Sequence, residues 1–373
     1  MRNGWKEKSV GEVLQLEYGK PLDESDRKRN GRFPVYGANG EKNRTNKFYH
    51  DKPSIIVGRK GSAGEINLTE KKFWPLDVTY FVRFDEQQHD LRFLYYLLTT
   101  LDLPKLAKGV KPGINRNEVY SQVTKVPPLP EQQRIVGILD EAFEGIATAK
   151  ANAEKNLQNA PALFESHLQS AFTQRGPGWK QKTLEEIATT FGRGKSKHRP
   201  RNEPKLYGGK YPFIQTGDIR NADHFITEYS QTYSEAGLAQ SKLWPKGTIC
   251  ITIAANIAET AILGFDACFP DSVIGVVTNP KEADIGFVEY LLQSFKARLQ
   301  ALGKGSAQAN INMGTFENER FPFPSVIEQK QIVAKLDALS EETQRLETIY
   351  QQKLAVLEAL KKSLLHQAFT GEL

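Results

Sequence analysis

Residues 131–174 read EQQRIVGILDEAFEGIATAKANAEKNLQNAPALFESHLQSAFTQ, and the block that opens this stretch returns later in the chain. Glu131, Gln132, Ile135, Val136, Leu139 and Asp140 reappear as Glu328, Gln329, Ile332, Val333, Leu336 and Asp337, 197 positions on. The frame holds to the far ends, where Ala171-Phe172-Thr173 matches Ala368-Phe369-Thr370. An offset kept over this length marks a duplicated unit, and repeats are read before anything else.

Both copies have helical spacing. Ile135, Leu139, Ala142, Ile146, Ala149, Ala153 and Leu157 step by threes and fours, and so, with sevens, do Ile332, Leu336, Leu339, Leu346, Tyr350, Leu354 and Leu357. Such steps build one apolar seam along a helix. Small residues in the first copy stand where large ones stand in the second, as in Ala142/Leu339, Ala149/Leu346 and Ala153/Tyr350. That complementarity suits two facing helices that interdigitate. Neither stretch is apolar all round, so a pair of long helices is expected rather than two buried core helices. From Glu131 to Thr173 such a helix would measure about 65 Å at 1.5 Å per residue. Pro161 is expected to kink or locally open the first helix, and Gly145 to weaken it.

The duplication reaches beyond the helices. Gly4-Trp5-Lys6 recurs as Gly178-Trp179-Lys180, and DLRFLYYLL from Asp90 matches DIGFVEYLL from Asp284. Between these anchors the second copy is longer by twenty residues. PSIIVGRKGSAGEINL and GTICITIAANIAETAIL each read as two short strands around a small-residue turn, with TYFVRF and SVIGVVTN as further strands. KVPPLP and FPFPS close each globular segment ahead of its long helix. The expected fold is α+β: two β-rich domains, 1–129 and 178–323, separated by long helices at 130–175 and 324–373. Because the first helix leaves one domain for the other and the second must return, the two should run antiparallel.

At 373 residues the chain suits two or three domains, and 39% hydrophobic residues suffice for real cores. No apolar run is long enough to span a membrane, and MRNGWKEKSVGEV has no secretory h-region. Cys250 and Cys268 form no metal-spacing motif and read as reduced core thiols, which points to the cytoplasm. The net charge of +6 is uneven: residues 1–130 carry +7, and the long helical stretches are neutral to acidic. Positive charge gathered between the helices points to an anionic partner, nucleic acid first.

Catalytic signals are weak. Gly194-Lys195-Ser196 resembles the end of a phosphate loop, but Thr189 stands where its first glycine belongs. Glu203-Pro204-Lys205 and Glu328-Gln329-Lys330 lack a partner acid for nuclease chemistry, and His198 and His224 have no neighbouring ligands for a metal. No catalytic, cofactor or metal site is expected.

Binding signals are better. In the first segment Lys20, Arg27, Lys28, Arg29, Arg32, Lys42, Arg44 and Lys47 surround Tyr36 and Asn39. Arg59, Lys60 and Ser62 occupy a turn, and Lys108 and Lys111 a polar loop. In the second segment Arg193, Lys195, Ser196, Lys197, His198, Arg199 and Arg201 precede Gln215, Thr216 and Asp218, and Lys304 stands in the polar loop GKGSAQANINMGTF that follows the domain's late helix. Arginine and lysine neutralise phosphates; arginine, asparagine and glutamine can also grip base edges at two points. These residues are the candidate DNA contacts, against the alternative of solvated basic loops. A duplicated scaffold whose copies differ most in these stretches suits two unlike recognition surfaces. A stand-alone DNA-modifying or DNA-cleaving enzyme and a coiled-coil scaffold without DNA are the rival readings.

The motif order PPLPEQQRIVGILD (127–140), PSVIEQKQIVAKLD (324–337) and LHQAFTGEL (365–373) resembles the specificity (S) subunits of type I restriction–modification systems. GINRN (113–117), QANIN (308–312) and the two Gly-Trp-Lys openings fit the same pattern. The resemblance implies two target-recognition domains, each reading half of a split site in double-stranded DNA, with the helices as a coiled-coil spacer. It further implies assembly with two methyltransferase (M) subunits using S-adenosylmethionine and with restriction (R) subunits using ATP and Mg. Neither activity is implied for this chain, and no cofactor is implied in it.

Overall fold

The repeated glutamine explains why the block repeats. In the computed structural model Gln132 is fully buried, and its side-chain oxygen accepts from the Asp90 N–H at 2.9 Å. Its Nε2 donates to the carbonyls of Pro127 (2.9 Å) and Gln88 (3.0 Å). Gln329, equally buried, does the same in the second copy: it accepts from Asp284 N–H (2.8 Å) and donates to Pro324 O (3.0 Å) and Glu282 O (3.3 Å). An amide side chain carries the acceptor and the two donors this task needs. Asp90 and Asp284 in turn cap their helices, accepting from Phe93 N–H and Phe287 N–H. The last repeated residue completes the joint: Tyr96 donates to Asp140, and Tyr290 to Asp337 at 2.7 Å.

The structure describes residues 4–174, 176–197, 200–254, 257–304 and 313–373, with backbone alone at 302–304, 315 and 317. The two long helices are Leu129–Thr173 and Val326–Thr370, 45 residues each. The first continues through Pro161, so the expected local opening is absent from its helical assignment. Pro161 and Gly145 are both exposed while Ala160 is buried, so the proline lies off the seam. Every seam position named above is buried or half-buried.

The chain divides into two compact units, Met1–Glu154 with Gln351–Leu373, and Lys155–Tyr350. Each unit therefore holds the start of one long helix and the end of the other. Within the first, Lys150 pairs with Glu358 at 2.7 Å and Arg134 donates to the Leu373 carbonyl at 2.8 Å. Numbers rise along one helix as they fall along the other, so the segments are antiparallel. In the second unit Asn156 donates to the Tyr350 hydroxyl at 3.2 Å. The repeated Phe of each AFT ending packs on a globular segment: Phe369 on Phe93 (centroids 5.1 Å apart) and Phe172 on Phe287 (5.3 Å).

In the first unit a sheet of Gln15–Tyr18, Thr79–Arg83, Ser54–Gly58 and Ile66–Thr69 is antiparallel throughout. Side chains alternate across it. Ile55, Val57, Tyr80 and Val82 face the helix Leu91–Thr100 through Phe93, Leu94, Leu97 and Leu98. Ile56 and Phe81 face the other way, onto Phe73 and onto Tyr36 of a second sheet formed by Gly40–Thr45, Phe33–Gly37 and Trp74–Pro75. Both faces being covered, the central strand is buried at all five positions.

The second unit repeats the plan. Its main sheet is Ala188–Arg193, Val273–Thr278, Ile249–Thr252, Thr260–Leu263 and Phe225–Ile226, with helix Ile285–Lys304 on one face. Its second sheet is Gln231–Tyr233, Tyr207–Phe213, Ala267–Cys268 and Leu243–Trp244. Pairing fixes the equivalences: Tyr80 pairs with Tyr18 and Val57, as Ile274 pairs with Arg193 and Ile251. The offset is thus 175 at Tyr18/Arg193 and 194 at Val57/Ile251, placing nineteen of the additional residues between those strands. They include the helices Thr216–Asn221 and Glu235–Ala239. A two-stranded ribbon closes each globular segment, Lys6–Ser9 with Val123–Val126 and Lys180–Lys182 with Phe321–Phe323.

Candidate nucleic-acid interface

Two turns meet at one end of the first unit's main sheet. The strand Ser54–Gly58 runs into the turn 59–64, and the loop 108–113 runs into the helix Arg116–Tyr120. Gly61 N–H donates to Pro112 O (2.8 Å), Ile114 N–H to Arg59 O (3.0 Å), and Lys60 bridges Gly113 through the backbone. Gly58 is required here: a Cβ would sit 2.1 Å from Ser62 O and 2.6 Å from Ala38 O. That close approach also brings in the hairpin tip at Asn39. Arg59, Lys60, Ser62, Lys108, Lys111 and Asn39 thus share one surface.

Two residues absent from the sequence-level set belong to it. Tyr18 is 45% exposed, with the guanidinium of Arg59 5.3 Å and that of Arg116 5.1 Å from its ring centroid. Its ring also tilts against Tyr80 at 5.1 Å. Burial, then the neighbouring Tyr18, pushes the Tyr80 phenol up to about 12, so it stays protonated and donates to Ile114 O. Arg116 lies within the GINRN motif, which marked the loop without marking the residue; Tyr18 has no sequence signal beyond being an aromatic at a strand end.

The basic stretch around 20–47 divides once its hydrogen bonds are traced. Arg27 commits Nε and Nη2 to the Leu22 carbonyl, and Arg44 commits its guanidinium to Gly31 O, Arg32 O and Glu41. Lys47 is paired with Asp26 at 2.7 Å, which raises its pKa, and Lys108 is paired with Glu118. Tyr36 packs edge-on against Phe73 and is half-buried. Each of these five already has a partner within the chain. Lys28, Arg29, Lys42, Lys60 and Lys111 are exposed, as are Lys20 and Arg32, which lie over the rings of Tyr49 and Phe33.

In the second unit Arg193 donates through Nε (2.7 Å) and Nη2 to the Asp271 carbonyl, and Arg201 grips the Asp271 carboxylate at 2.7 and 3.0 Å. Lys195 and Lys197 are exposed, and Ser196 is buried. Gln215 donates to Gln231 at 2.7 Å, and Thr216 opens a short helix. Asp218 accepts from Gln215 N–H (2.8 Å) and so caps that helix. His198 and Arg199 lie outside the described residues, as does the QANIN stretch, and the Lys304 side chain is likewise not described.

Among the described residues no three His, Cys, Asp or Glu side chains gather as a metal site, and no helix is long and apolar enough to cross a membrane. A buried carboxylate meets an imidazole away from the basic turns. Glu289 is fully buried, accepts from Thr260 at 2.9 Å, and lies 2.8 Å from His224 Nδ1. Burial opposes charge on His224, but the bond to Glu289 and the fields of Glu289, Asp337 and Asp223 outweigh it and raise its pKa.

Residues 2–158 and 177–358 match the family described as Type I restriction modification DNA specificity domain. A type I specificity subunit of Mycoplasma pneumoniae is 25% identical over 338 residues, 88% of each chain. The type I restriction enzyme EcoDI specificity subunit of Escherichia coli is 21% identical over 99% of this chain and 88% of its own. Among solved structures, the HsdS subunit of Thermoanaerobacter tengcongensis shares the fold with a TM-score of 0.71 at 20% identity, over 100% of this chain and 98% of its own. A chain from work on complex assembly and conformational transition of the type I R-M system reaches 0.75 at 19% identity, over 100% and 99%.

Proposed function

We propose, on the premise that this chain belongs to the type I restriction–modification DNA specificity family, with the family's domain present twice, that it is the sequence-reading subunit of such a system. Each unit reads one half of a split site in double-stranded DNA. The observation that carries this is the duplication itself. Two units share the order of the first four strands of their main sheets and a helix joint residue for residue, and differ in the segments that carry exposed arginine and lysine. A structural role needs no such divergence, and two unlike half-sites do.

The chain's part is binding and positioning. Exposed lysines and arginines offset phosphate charge, while oriented side chains meet base edges. Catalysis falls to partners: two methyltransferase subunits that carry S-adenosylmethionine, and restriction subunits that carry ATP and Mg. The two helices connect the recognition units and offer these partners a common frame, in the cytoplasm, where the DNA lies.

The test is single-molecule sequencing of DNA from cells expressing this chain with its methyltransferase partner. A two-part methylated-adenine motif is expected, and none from this chain alone. Methyl transfer by the purified chain without that partner refutes the assignment.

A further inference from the structure

Superposing the strand registers of the two units reveals an exchange of residues at one point. Tyr18, Arg59 and Arg116 in the first unit correspond to Arg193, Ile253 and Met313 in the second, by offsets of 175, 194 and 197. The first set is an aromatic ring with two arginines; the second is an arginine with two apolar residues. One thing survives the exchange. Arg59 donates through Nε (3.1 Å) and Nη2 (2.7 Å) to Asp77 O, and Arg193 donates through the same two nitrogens to Asp271 O. Asp77 and Asp271 are equivalent, at offset 194, each two residues ahead of the same strand. A guanidinium is therefore anchored to the same carbonyl in both units, reached from a turn in one and from a neighbouring strand in the other.

The anchoring leaves a defined edge over. A guanidinium has five N–H donors in a fixed fork. With Nε–H and one Nη2–H on the carbonyl, the Nη1/Nη2 edge keeps two parallel donors, and neither residue gives that edge another hydrogen-bond partner among the described residues. Two parallel donors match O6 and N7 of guanine in the major groove. The backbone carbonyl fixes the plane of the fork, and in the first unit the Tyr18 ring supports it from the side. A phosphate contact would need no such fixing, because charge alone suffices.

Resting on the function proposed above, we infer that Arg59 and Arg193 are equivalent base readers, one per half-site, each directed at a guanine.

The experiment uses the complex of this chain with its methyltransferase partner and selects bound duplexes from random-sequence DNA. Arg59→Lys keeps the charge and removes the fork. It is expected to relax one guanine position in one half-site by roughly 5- to 150-fold while the other half-site is read normally. Arg193→Lys is expected to do the converse, and the unaffected half serves as the control for folding. On the unaltered complex, 7-deazaguanine placed at each guanine in turn removes the N7 acceptor and should weaken binding at one guanine per half. Uniform weakening across all sequences by either lysine variant would make these phosphate contacts and overturn the inference. So would a motif unchanged by both variants, or indifference to 7-deazaguanine at every position. A wild-type complex with no two-part motif would instead overturn the functional reading on which this rests.

Discussion

Replacing Gln132 with methionine tests whether the joint between helix and domain is held by hydrogen bonding or by packing. Methionine nearly conserves the shape but leaves the Asp90 N–H and the carbonyls of Pro127 and Gln88 without the partner they have now. Three bonds at about 1 kcal/mol each set a floor of about 3 kcal/mol, and poorly solvated orphans carry the cost toward about 5 kcal/mol. Since 1.4 kcal/mol is about tenfold, amides of the joint should exchange at least about a hundredfold faster. Hydrogen exchange resolved by segment over 88–100 and 127–140 is the right assay, because a chain of two units has no single unfolding free energy. Gln132→Glu sharpens the test. A carboxylate can still accept from Asp90 but would place a buried charge against two carbonyls, so it should cost more than methionine at neutral pH. Its folded pKa would be raised, so the extra penalty should fade as pH drops toward the ordinary carboxyl range, near about 4.3. A glutamate variant as protected as the wild type at pH 7 would refute the reasoning, as would a methionine variant costing under about 1 kcal/mol.

Gln329→Met should act likewise on 282–291 in the second unit and leave the first unit's exchange rates unchanged. Protonated His224 should stabilise the second unit: with its pKa raised in the folded state, the contribution is complete below the ordinary imidazole value of about 6.5 and lost as pH rises through the folded value. Segment-resolved exchange around 224–226 should show that loss in the wild type and a flat profile in His224→Phe. Within the DNA complex, Arg29→Ala and Lys42→Ala should each lower the logarithmic salt slope by about 0.9, measured by binding titrations over a salt series, whereas Arg27→Ala should loosen its loop and leave the slope intact. Inserting a heptad after Ala153 and another after Tyr350 should lengthen both helices by about 10 Å and add about one to three unread base pairs to the mapped motif, with the half-sites unchanged; a heptad after Ala153 alone should destroy activity.

The long helices were legible because their evidence is periodic and doubled: every seam position from Ile135 to Leu357 is at least half-buried. The strand pairs and late helices followed from turn chemistry and apolar spacing. The candidate DNA contacts were legible only as composition. Arg27, Arg29 and Arg44 look alike in a sequence, yet Arg27 is tied to Leu22 and Arg44 to Gly31, Arg32 and Glu41, while Arg29 is exposed. Which cation is engaged depends on where loops return, and that is decided by tertiary contact. The Arg59/Arg193 correspondence was hidden for a stronger reason. The two residues sit on different elements, and only strand register shows that the carbonyls they hold, Asp77 O and Asp271 O, are equivalent.

The division of the chain has a consequence for how it comes off a ribosome. The second unit is one uninterrupted run, Lys155–Tyr350, but the first is built from Met1–Glu154 and Gln351–Leu373. Leu365 and Ala368 belong to the same core as Phe93 and Leu139, and the Phe369 ring lies against Phe93. The unit made first is therefore the one finished last. At about 5–20 residues per second, its core waits roughly 10–40 s for its final pieces while the intervening unit is synthesised. Over that interval the faces of Phe93 and Leu139 stand open, a transient apolar surface that a cell must shield and that a chain cut short before Leu365 would never close.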